Sequence, residues 1–148
     1  MGIKAVIMER SHLEEVCGIE QEAFSVPWSK EEMFRDFELP HSVYFVALDE
    51  NGRPVGYANL WHIINEGHIN NIAVSEPYRR RGVGSALIEA MLEEAVKREM
   101  IGLTLEVREG NRAAMALYHK YGFKAEGYRK NYYKETKEDA VIMWKHID

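Results

Sequence analysis

Residues 79–85 combine positive charge with two glycines, a pattern suited to binding phosphate. They join an apolar run that breaks at Pro77 to a helical pattern that begins at Val83. Gly82 and Gly84 lack a Cβ, so the backbone can approach a ligand closely there. The free N–H groups of a first helical turn favour negative charge at the same place, and the segment adds positive charge from Arg79, Arg80 and Arg81. The segment therefore predicts a phosphate-binding turn between a strand and a helix.

The spacing Arg79-x-x-Gly82-x-Gly84 resembles the acetyl-CoA-binding motif of the GNAT N-acetyltransferases, written Q/R-x-x-G-x-G/A. The runs on either side, Asn71-Ile72-Ala73-Val74 and Leu105-Glu106-Val107-Arg108, resemble the RimI branch of that family. The same is true of Asn111, Ala116-Leu117-Tyr118, Gly122-Phe123, Asn131-Tyr132-Tyr133 and Pro27-Trp28-Ser29. The resemblance covers nearly the whole chain and is densest over residues 71–123.

This resemblance implies acetyl-CoA as the cosubstrate and the N-terminal alanine of a small-subunit ribosomal protein as the acceptor. The residues implied to bind acetyl-CoA are Ile72, Ala73, Val74, Arg79, Arg80, Arg81, Gly82, Val83, Gly84, Ser85, Asn111 and Tyr118. The helix–loop–helix near the N-terminus is implied to form one wall of the acceptor site. Residues 27–37 and 131–137 are therefore expected to decide which amine enters.

Glu106 is the candidate general base. It stands at the end of an apolar strand pattern with Leu103, Leu105 and Val107. A carboxylate on a buried strand should have a raised pKa, which suits it to accept a proton near neutral pH. Because an N-terminal amine has a pKa near 7.7–8, a mild base acting directly or through water is enough. Position alone leaves catalysis and an ion pair with Arg108 or another cation equally open, and the resemblance favours catalysis.

Tyr118 is the candidate general acid, and Asn111 lies seven residues before it. About two helical turns separate the two residues, so they share a helix face that can follow one extended ligand. A phenol with a pKa of about 10 is protonated at neutral pH and can donate to a thiolate. From the residues alone, packing beside Leu117 and Tyr121 is the better interpretation of Tyr118, whereas the resemblance assigns it the acid role.

The carbonyl oxygen of the transferred acetyl group needs stabilisation as it gains charge. By resemblance, the strand that holds residues 72–74 separates from its neighbour, and a backbone N–H in that stretch stabilises the oxygen. A β-bulge would leave unpaired N–H groups of this kind, although the sequence does not show one.

Composition argues against several other classes of protein. The 148 residues, 46% hydrophobic and 29% charged, predict one globular domain over residues 1–148. No apolar run approaches the ~20 residues of a membrane span and no signal peptide is apparent, so we expect no membrane association. The single cysteine fits a reducing cytoplasm. A net charge of −5 argues against direct nucleic-acid binding and permits a basic peptide partner.

Metal and serine-hydrolase chemistry find no support in the sequence. None of the histidines has metal-ligand spacing to a cysteine, a second histidine or clustered carboxylates. They are His12, His41, His62, His68, His119 and His146. No G-x-S-x-G elbow occurs, so we expect neither a metal site nor a serine nucleophile.

The order of the predicted elements is typical of a mixed α/β sheet. Strands are predicted at residues 3–8, 42–48, 55–63, 68–74, 103–107, 123–127 and 140–145, with a loop at 131–139. A helix at residues 83–98 connects two of them, which should make those two strands parallel neighbours. The expected fold is a single-domain, GNAT-like, mostly antiparallel sheet of about seven strands, with about four helices packed on its faces.

Short local signals mark the ends of these elements. Ser11 and Ser29 each precede a glutamate by three residues, which predicts capping boxes for two helices, the second ending near residue 37. Residues 51–52 and 65–67 predict turns between strands. Asn111 is the predicted N-cap of a helix that runs to residue 120 and is stopped by Gly122.

Three functions remain open from the sequence. The first is a RimI-type enzyme that acetylates the N-terminal amine of a protein. The second is a GNAT enzyme acting on a small amine such as a polyamine or an aminoglycoside, and the third is a non-catalytic acetyl-CoA-binding, ribosome-associated factor. Retention of both Glu106 and Tyr118 argues against the third. A narrow groove lined by Trp28, Tyr132 and Tyr133 would favour a peptide terminus over a small amine.

Overall fold

A computed structural model describes residues 2–134 and 136–147 of the chain. The strands in this part are β1 Lys4–Ile7, β2 Ser42–Leu48, β3 Pro54–Ile63, β4 Glu66–Val74, β5 Gly102–Arg108, β6 Lys124–Tyr133 and β7 Glu138–His146. The helices are α1 Leu13–Ala23, α2 Lys30–Phe37, α3 Val83–Lys97 and α4 Arg112–Lys120. All these strands form one sheet in the spatial order β1-β2-β3-β4-β5-β7-β6. The predicted mixed sheet of seven strands is thus confirmed.

Strand β2 shows why both faces of the sheet are covered by helices. Val43, Phe45 and Ala47 point into one core, while Tyr44 and Val46 point into another. Because successive side chains of a strand point to opposite faces, such a continuous buried run needs a partner layer on each side. Helices α3 and α4 cover the first face, and α1 and α2 cover the second.

The two cores differ in size and in the elements that build them. In the larger core, Leu87 and Met91 of α3 pack with Leu103 of β5, and all three are completely buried. In the smaller core, Leu13 of α1 and Met33 of α2 are equally inaccessible. The site described below lies in the middle of the sheet, where β4 and β5 are neighbours.

The predicted parallel pair is confirmed. Residues 66–69 of β4 pair with residues 102–105 of β5 in parallel, and every other neighbouring pair of strands is antiparallel. Helix α3 makes the crossover between them on one face of the sheet, as a strand–helix–strand unit requires. The crossover therefore sets the start of α3 beside the end of β4.

One of the two predicted capping boxes is confirmed and the other is wrong. Ser29 Oγ accepts a hydrogen bond from the backbone N–H of Glu32 at 3.1 Å, and the Glu32 carboxylate accepts one from the Ser29 N–H at 2.8 Å. Ser11 instead lies inside a 3₁₀ turn, Arg10–His12, and α1 begins only at Leu13. An N-cap residue has an extended backbone and directly precedes the first helical residue. Glu9 holds that place before the 3₁₀ turn, whereas Ser11 lies within the turn.

Of the two predicted strand turns, the first is confirmed. Gly52 has φ +78°, and the Asp49 carboxylate accepts hydrogen bonds from the N–H groups of Asn51 and Arg53 at 2.9 Å each. The second turn is at residues 64–65, so the prediction of 65–67 is wrong by one or two positions. Gly67 already belongs to β4, where a Cβ would come within 2.4 Å of a Leu103 methyl group. Close packing, rather than turn geometry, therefore requires that glycine.

The predicted loop at residues 131–139 is largely wrong, because β6 continues to Tyr133 and β7 begins at Glu138. Residue 135 of that loop lies outside the described residues. Strand β6 pairs only with β7 and is exposed along most of its length. An exposed edge strand needs no alternation of apolar residues, which explains why its second half carried no strand signal.

Candidate active site

The segment between β4 and α3 has the geometry of an anion-binding turn. Arg80 and Gly82 have φ values of +64° and +82°, and Gly82 is the N-cap of α3. The first bond within the helix runs from the Ala86 N–H to the Gly82 carbonyl at 3.0 Å. The N–H groups of the residues between them, Val83, Gly84 and Ser85, consequently have no partner within the helix. Successive N–H groups in such a turn form a concave site for phosphate oxygens.

A cleft of about 750 Å³ runs along this turn, and we call it the loop cleft. It is lined by Ile72, Ala73, Val74, Arg79, Arg80, Gly82, Val83, Gly84, Ser85, Asn111 and Tyr118, together with Phe24, Ala114, Leu117 and Lys120 among others. Every predicted cofactor-binding residue is in this set except Arg81. The Arg81 guanidinium lies over the Tyr78 ring, 5.5 Å from its centre, beside a separate depression.

Lys120 and Phe24 were not predicted, although both line the loop cleft. Lys120 is in the last turn of α4, where a cation is expected for helix stability alone, so its type gave no functional signal. Phe24 directly follows Ala23, the last residue of α1. Its apolar type is typical of a core residue, so it gave no functional signal either.

Strands β4 and β5 separate at the inner end of the loop cleft. Their parallel pairing ends at Ile69 and Leu105. On the other side of β4, Asn59 of β3 pairs with Asn71 whereas its neighbour Leu60 pairs with Ile69. Asn70 is thus the extra residue of a β-bulge. The strand separation expected from the resemblance is therefore accompanied by a bulge two residues before Ile72.

The orientation of the β4 backbone beyond the bulge follows from one hydrogen bond. The Ser75 N–H donates to the Val55 carbonyl of the neighbouring segment at 2.9 Å. In an antiparallel ladder, alternate residues direct both backbone groups to the same side. The backbone N–H and C=O groups of Ala73 therefore point towards β3, as those of Ser75 do. The N–H groups of Ile72 and Val74 point into the gap between β4 and β5. These are N–H groups of the kind that can stabilise an oxyanion.

Glu106 lies on β5 one residue beyond the end of this pairing. Its Oε2 accepts a hydrogen bond from Arg129 Nε of β6, and 29% of its side chain is exposed. The cation that pairs with Glu106 is thus Arg129, while Arg108 bonds Glu138 at 3.3 Å. Glu106 is thus ion-paired and still exposed to the gap, so its ion pair does not exclude a role as general base.

Tyr118 lies on α4, and Asn111 sets the start of that helix. The Asn111 side-chain oxygen accepts a hydrogen bond from the Ala114 N–H at 3.2 Å, which confirms the predicted N-cap. Burial, with a smaller contribution from Tyr133, raises the pKa of Tyr118 to about 12. Within residues 2–134 and 136–147, no group donates to or accepts from its hydroxyl. The Tyr118 hydroxyl is therefore protonated at neutral pH and free to donate a hydrogen bond to a ligand.

A second cavity, which we call the central groove, brings Glu106 and Tyr118 together. It is lined by Phe24, Ile69, Asn70, Asn71, Ile72, Glu106, Val107, Arg108, Asn111, Ala114, Tyr118, Tyr132 and Tyr133. Ile72, Asn111 and Tyr118 also line the loop cleft, so the two cavities are continuous. A ligand lying along the loop cleft would reach Tyr118 at the junction.

The aromatic residues expected in the acceptor wall divide into two groups. Tyr132 and Tyr133 line the central groove, and the Arg108 guanidinium stacks over the Tyr133 ring at 4.0 Å. The charge of Glu106 is the main cause that raises the pKa of Tyr132. Trp28 does not line this groove, although its backbone N–H donates to Glu20 at 3.0 Å.

The buried carboxylate of Glu20 was missed from the sequence. Only 2% of Glu20 is exposed, and it accepts hydrogen bonds from the Tyr57 hydroxyl and from Asn71 Nδ2, the latter at 3.4 Å. Asn71 lines the central groove, so this network supports its wall from behind. A signal was available, because Glu20 falls on the same helical stripe as Leu13 and Val16.

Two further features bear on the class of chemistry. In the described part of the chain, no group of three or more His, Cys, Asp or Glu side chains is arranged to hold a metal ion. None of the described helices is long and apolar enough to cross a membrane.

The sequence matches the acetyltransferase (GNAT) family over residues 13–123. The chain belongs to this family. A GNAT protein is an acyltransferase with acetyl-CoA as its cosubstrate, which accounts for the anion-binding turn and the open strand pair. The chain is 34% identical to the putative ribosomal protein bS18-alanine N-acetyltransferase of Bacillus subtilis, an alignment that covers 100% of this chain and 99% of the relative.

Similarity in sequence extends to solved structures. The ribosomal protein bS18-alanine N-acetyltransferase of Escherichia coli is 39% identical over 92% of each chain. The crystal structure of the Escherichia coli enzyme superposes with a TM-score of 0.89 at 35% identity, covering 99% of this chain and 94% of that one. A putative streptothricin acetyltransferase from Bacillus anthracis, solved in complex with acetyl-CoA, has a TM-score of 0.81 at 25% identity and covers 100% of both chains. The GNAT fold is therefore shared along the whole chain.

Proposed function

We propose that this GNAT protein transfers the acetyl group of acetyl-CoA to the N-terminal amine of a protein, with the N-terminal alanine of a small-subunit ribosomal protein as its main acceptor. The observation that carries the proposal is the junction of the two cavities, where Tyr118 and Ile72 belong to both and Glu106 lies in the central groove. Relatives similar over the full chain are named for this reaction, which supports the choice of acceptor.

Acetyl-CoA would bind along the loop cleft. The N–H groups of Val83, Gly84 and Ser85 would bind its pyrophosphate, and Arg79 and Arg80 would add positive charge. Asn111 and Tyr118 line the path from the turn to the junction, where the thioester would lie. Arg81, which does not line the loop cleft, is left with a peripheral role.

The reaction joins the acceptor nitrogen to the acetyl carbon and breaks the bond from that carbon to sulfur. Glu106, directly or through water, takes the proton that the amine loses. The N–H groups of Ile72 and Val74 face the gap in which the carbonyl oxygen gains charge, and they are suited to stabilise it. Tyr118 gives its proton to the departing thiolate and is re-protonated by solvent.

Two features of the molecule are suited to the binding of a protein N-terminus. Tyr132 and Tyr133 flank Glu106 with aromatic surface, which can contact the first side chain of a peptide. The acidic chain as a whole, with net charge −5, would attract a basic peptide terminus. We place the enzyme in the cytoplasm, where ribosomal proteins are made, and treat residues 1–148 as one N-acetyltransferase domain.

A panel of acceptors tests the proposal. Purified protein with acetyl-CoA would be offered peptides that begin with different residues, a peptide with a blocked N-terminus and an internal lysine, spermidine and an aminoglycoside. Mass spectrometry should find acetylation at the N-terminal nitrogen, with alanine-initiated peptides fastest. Faster acetylation of spermidine or the aminoglycoside would replace the proposal with small-amine acetylation. Binding of acetyl-CoA without turnover of any acceptor would indicate a non-catalytic factor.

A further inference from the structure

The bulge in β4 turns two successive side chains towards the same face of the sheet. Asn70 Nδ2 donates to Asn59 Oδ1 at 2.9 Å, while Asn71 Nδ2 donates to the Tyr57 hydroxyl at 3.2 Å. Neighbouring side chains of a regular strand point to opposite faces, so only the extra residue permits this arrangement. Both asparagines line the central groove. Asn71 belongs to the Glu20 network, which leaves Asn70 to be explained.

Asn70 is the last member of a chain of hydrogen bonds that starts at a buried carboxylate. Asp36 of α2 is 5% exposed. It accepts hydrogen bonds from Ser42 Oγ at 2.7 Å, from the Tyr44 hydroxyl at 2.8 Å and from Trp61 Nε1 at 3.0 Å. Because an ionised carboxylate has no proton to donate, every one of these partners must donate to it.

This requirement fixes the direction of each following bond. The single hydroxyl proton of Ser42 goes to Asp36, so its oxygen is left to accept from Asn59 Nδ2 at 2.9 Å. Asn59 Oδ1 then faces Asn70 and accepts from its Nδ2. An amide presents donors on one side and an acceptor on the other. Asn70 must therefore direct its side-chain oxygen away from Asn59.

The side-chain oxygen of Asn70 is the atom of this chain of hydrogen bonds that is left to bind a ligand. Asn70 is exposed, and across the described residues nothing donates a hydrogen bond to its Oδ1. It also lines a third cavity, the outer groove, with His68, Thr104, Glu106, Arg129 and Trp144 among the other lining residues. Asn70 and Glu106 thus line both the central and the outer groove.

Asn70 and Glu106 are neighbours across the opened strand pair. Each directly follows the last residue of the parallel pairing, Ile69 on β4 and Leu105 on β5. Two oxygen acceptors, a neutral amide and a carboxylate, are thus presented to the same two cavities. A group that satisfies both must have at least two N–H bonds, as a primary amine does.

We propose that the side-chain oxygen of Asn70 binds one N–H of the acceptor's primary amine next to Glu106, and that Asp36, Ser42 and Asn59 are positioning residues that orient it. The inference rests on the proposed function and specifies how its acceptor nitrogen is held. A neutral primary amine has two N–H bonds. One proton leaves to Glu106 as the bond to the acetyl carbon forms, and the other stays on the amide product, still bonded to Asn70.

The first test replaces Asn70 with leucine, which has nearly the same shape and no polar atoms. For an alanine-initiated peptide, Asn70→Leu should raise the KM of the acceptor by about 3–10-fold, the range for one hydrogen bond. The dissociation constant for acetyl-CoA, measured by calorimetry, should change by less than about two-fold, because Asn70 does not line the loop cleft. Asn65→Leu, at an exposed turn residue of the same hairpin, is the matched control and should change neither value. An unchanged acceptor KM in Asn70→Leu overturns the proposal.

The second test uses the acceptor itself. A peptide whose N-terminal alanine carries an N-methyl group offers one N–H fewer. The wild-type chain should prefer the unmethylated peptide. Asn70→Leu should reduce this preference by about the same factor by which it raises the KM of the unmethylated peptide. Because leucine creates no extra space, relief of crowding cannot produce this result. An equal preference in both proteins overturns the proposed contact.

The third test asks whether the orienting chain acts through Asn70. Ser42→Ala removes the link between Asp36 and Asn59, and it should raise the acceptor KM a few-fold although Ser42 does not line the central groove. In the Asn70→Leu background the same change should have almost no further effect on KM, since the oriented oxygen is already gone. Additive effects would mean that Ser42 acts only through stability, and would overturn the positioning role.

The acceptor panel separates failure of this inference from failure of the proposed function. If spermidine is the best acceptor, the proposed function fails, while the KM of spermidine in Asn70→Leu still decides whether Asn70 binds a primary amine. If the best acceptor is a peptide and its KM is unchanged in Asn70→Leu, the proposed function stands and the Asn70 contact is wrong. If no amine is acetylated, both are wrong.

Discussion

Glu106 and Arg129 form an ion pair at the point where β4 and β5 separate, with Arg129 Nε donating to Glu106 Oε2. Arg129 belongs to the edge strand β6, and 57% of its side chain is exposed. Exposed ion pairs contribute only about 0–1 kcal/mol to stability. An ammonium group that enters the central groove can therefore exchange with the guanidinium at Glu106 at small cost, which permits a paired carboxylate to serve as a base.

Glu106→Gln should lower the rate most at neutral pH. The change keeps the shape of the side chain and removes its ability to accept a proton. For an N-terminal amine with a pKa near 7.7–8, the deficit should shrink as the pH rises past that value, because free amine then forms without a base. For a lysine acceptor, with a pKa near 10.4, the deficit should persist to much higher pH. Turnover measured from pH 6 to 10 at saturating substrates provides the profile.

Glu126→Gln is the control for this experiment. Glu126 is a carboxylate on β6 that bonds His146 at 2.7 Å and lines neither groove. Its replacement should leave the pH profile unchanged. A loss of rate in Glu106→Gln that is independent of pH would instead assign Glu106 an electrostatic or positioning role. An unchanged rate would mean that Glu106 serves only in the ion pair with Arg129.

Tyr118→Phe should bind acetyl-CoA normally and turn over more slowly by roughly 10²–10⁴-fold, the usual range for a general acid. Phenylalanine preserves the packing against the Phe123 ring, whose centre lies 5.7 Å from that of Tyr118. Calorimetry checks the binding and steady-state kinetics the rate. An unchanged rate at saturating substrates would show that Tyr118 only packs in the junction.

The raised pKa of Tyr118 also makes a prediction about stability. Burial raises the pKa to about 12, above the value near 10 for an unfolded chain. The contribution of the protonated phenol is fully present below about pH 10 and is lost as the pH rises towards 12. The wild-type free energy of unfolding should therefore fall relative to that of Tyr118→Phe between about pH 10 and pH 11.5. A constant difference in urea unfolding across that range would contradict burial of the phenol.

Much of the fold could be predicted because its signals are local. Ser29 and Asn111 cap their helices as expected, since a cap depends only on residues within one turn. The helical stripe of α3 and the strand on either side of it were enough to predict the parallel pair. These features depend on short stretches of sequence and on general rules for connections.

What the sequence could not provide depends on contacts between distant segments. The bulge at Asn70 exists only as a register difference between β3 and β4, so no run of residues signals it. Arg129 reaches Glu106 from a strand that was predicted to end at residue 127. The separation of β4 from β5, which opens the junction at Tyr118, is likewise a property of the assembled sheet.

Gly84→Val should weaken acetyl-CoA binding at least ten-fold while the protein remains folded. A Cβ at Gly84 would lie 3.0 Å from a Leu117 methyl group inside the loop cleft, so the larger side chain must intrude on the bound pyrophosphate or displace Leu117. The dissociation constant is measured by calorimetry and folding by circular dichroism. Unchanged affinity in a folded variant would move the phosphate site away from this turn.

Gly18→Ala is the matched glycine control. Gly18 lies within α1 on its exposed side, and a Cβ there would meet nothing within 4 Å. Alanine in place of glycine inside a helix should stabilise the protein by about 0.5–1 kcal/mol. Its acetyl-CoA affinity should equal that of the wild type, which separates the local effect at Gly84 from a general effect of adding a methyl group.

Glu20→Gln should destabilise the protein without weakening acetyl-CoA binding. Glu20 accepts hydrogen bonds from three donors, the Trp28 N–H, the Tyr57 hydroxyl and Asn71 Nδ2. The NH₂ group of a glutamine side chain would add a fourth donor and remove one acceptor oxygen. One buried donor then lacks an acceptor, at a cost of about 1–3 kcal/mol, or roughly 2–4 °C in Tm for each kcal/mol. Glu22→Gln, an exposed change on α1, should cost less than about 0.5 kcal/mol. Equal midpoints of urea unfolding for the two variants would mean that the Glu20 network does not stabilise the wall of the central groove.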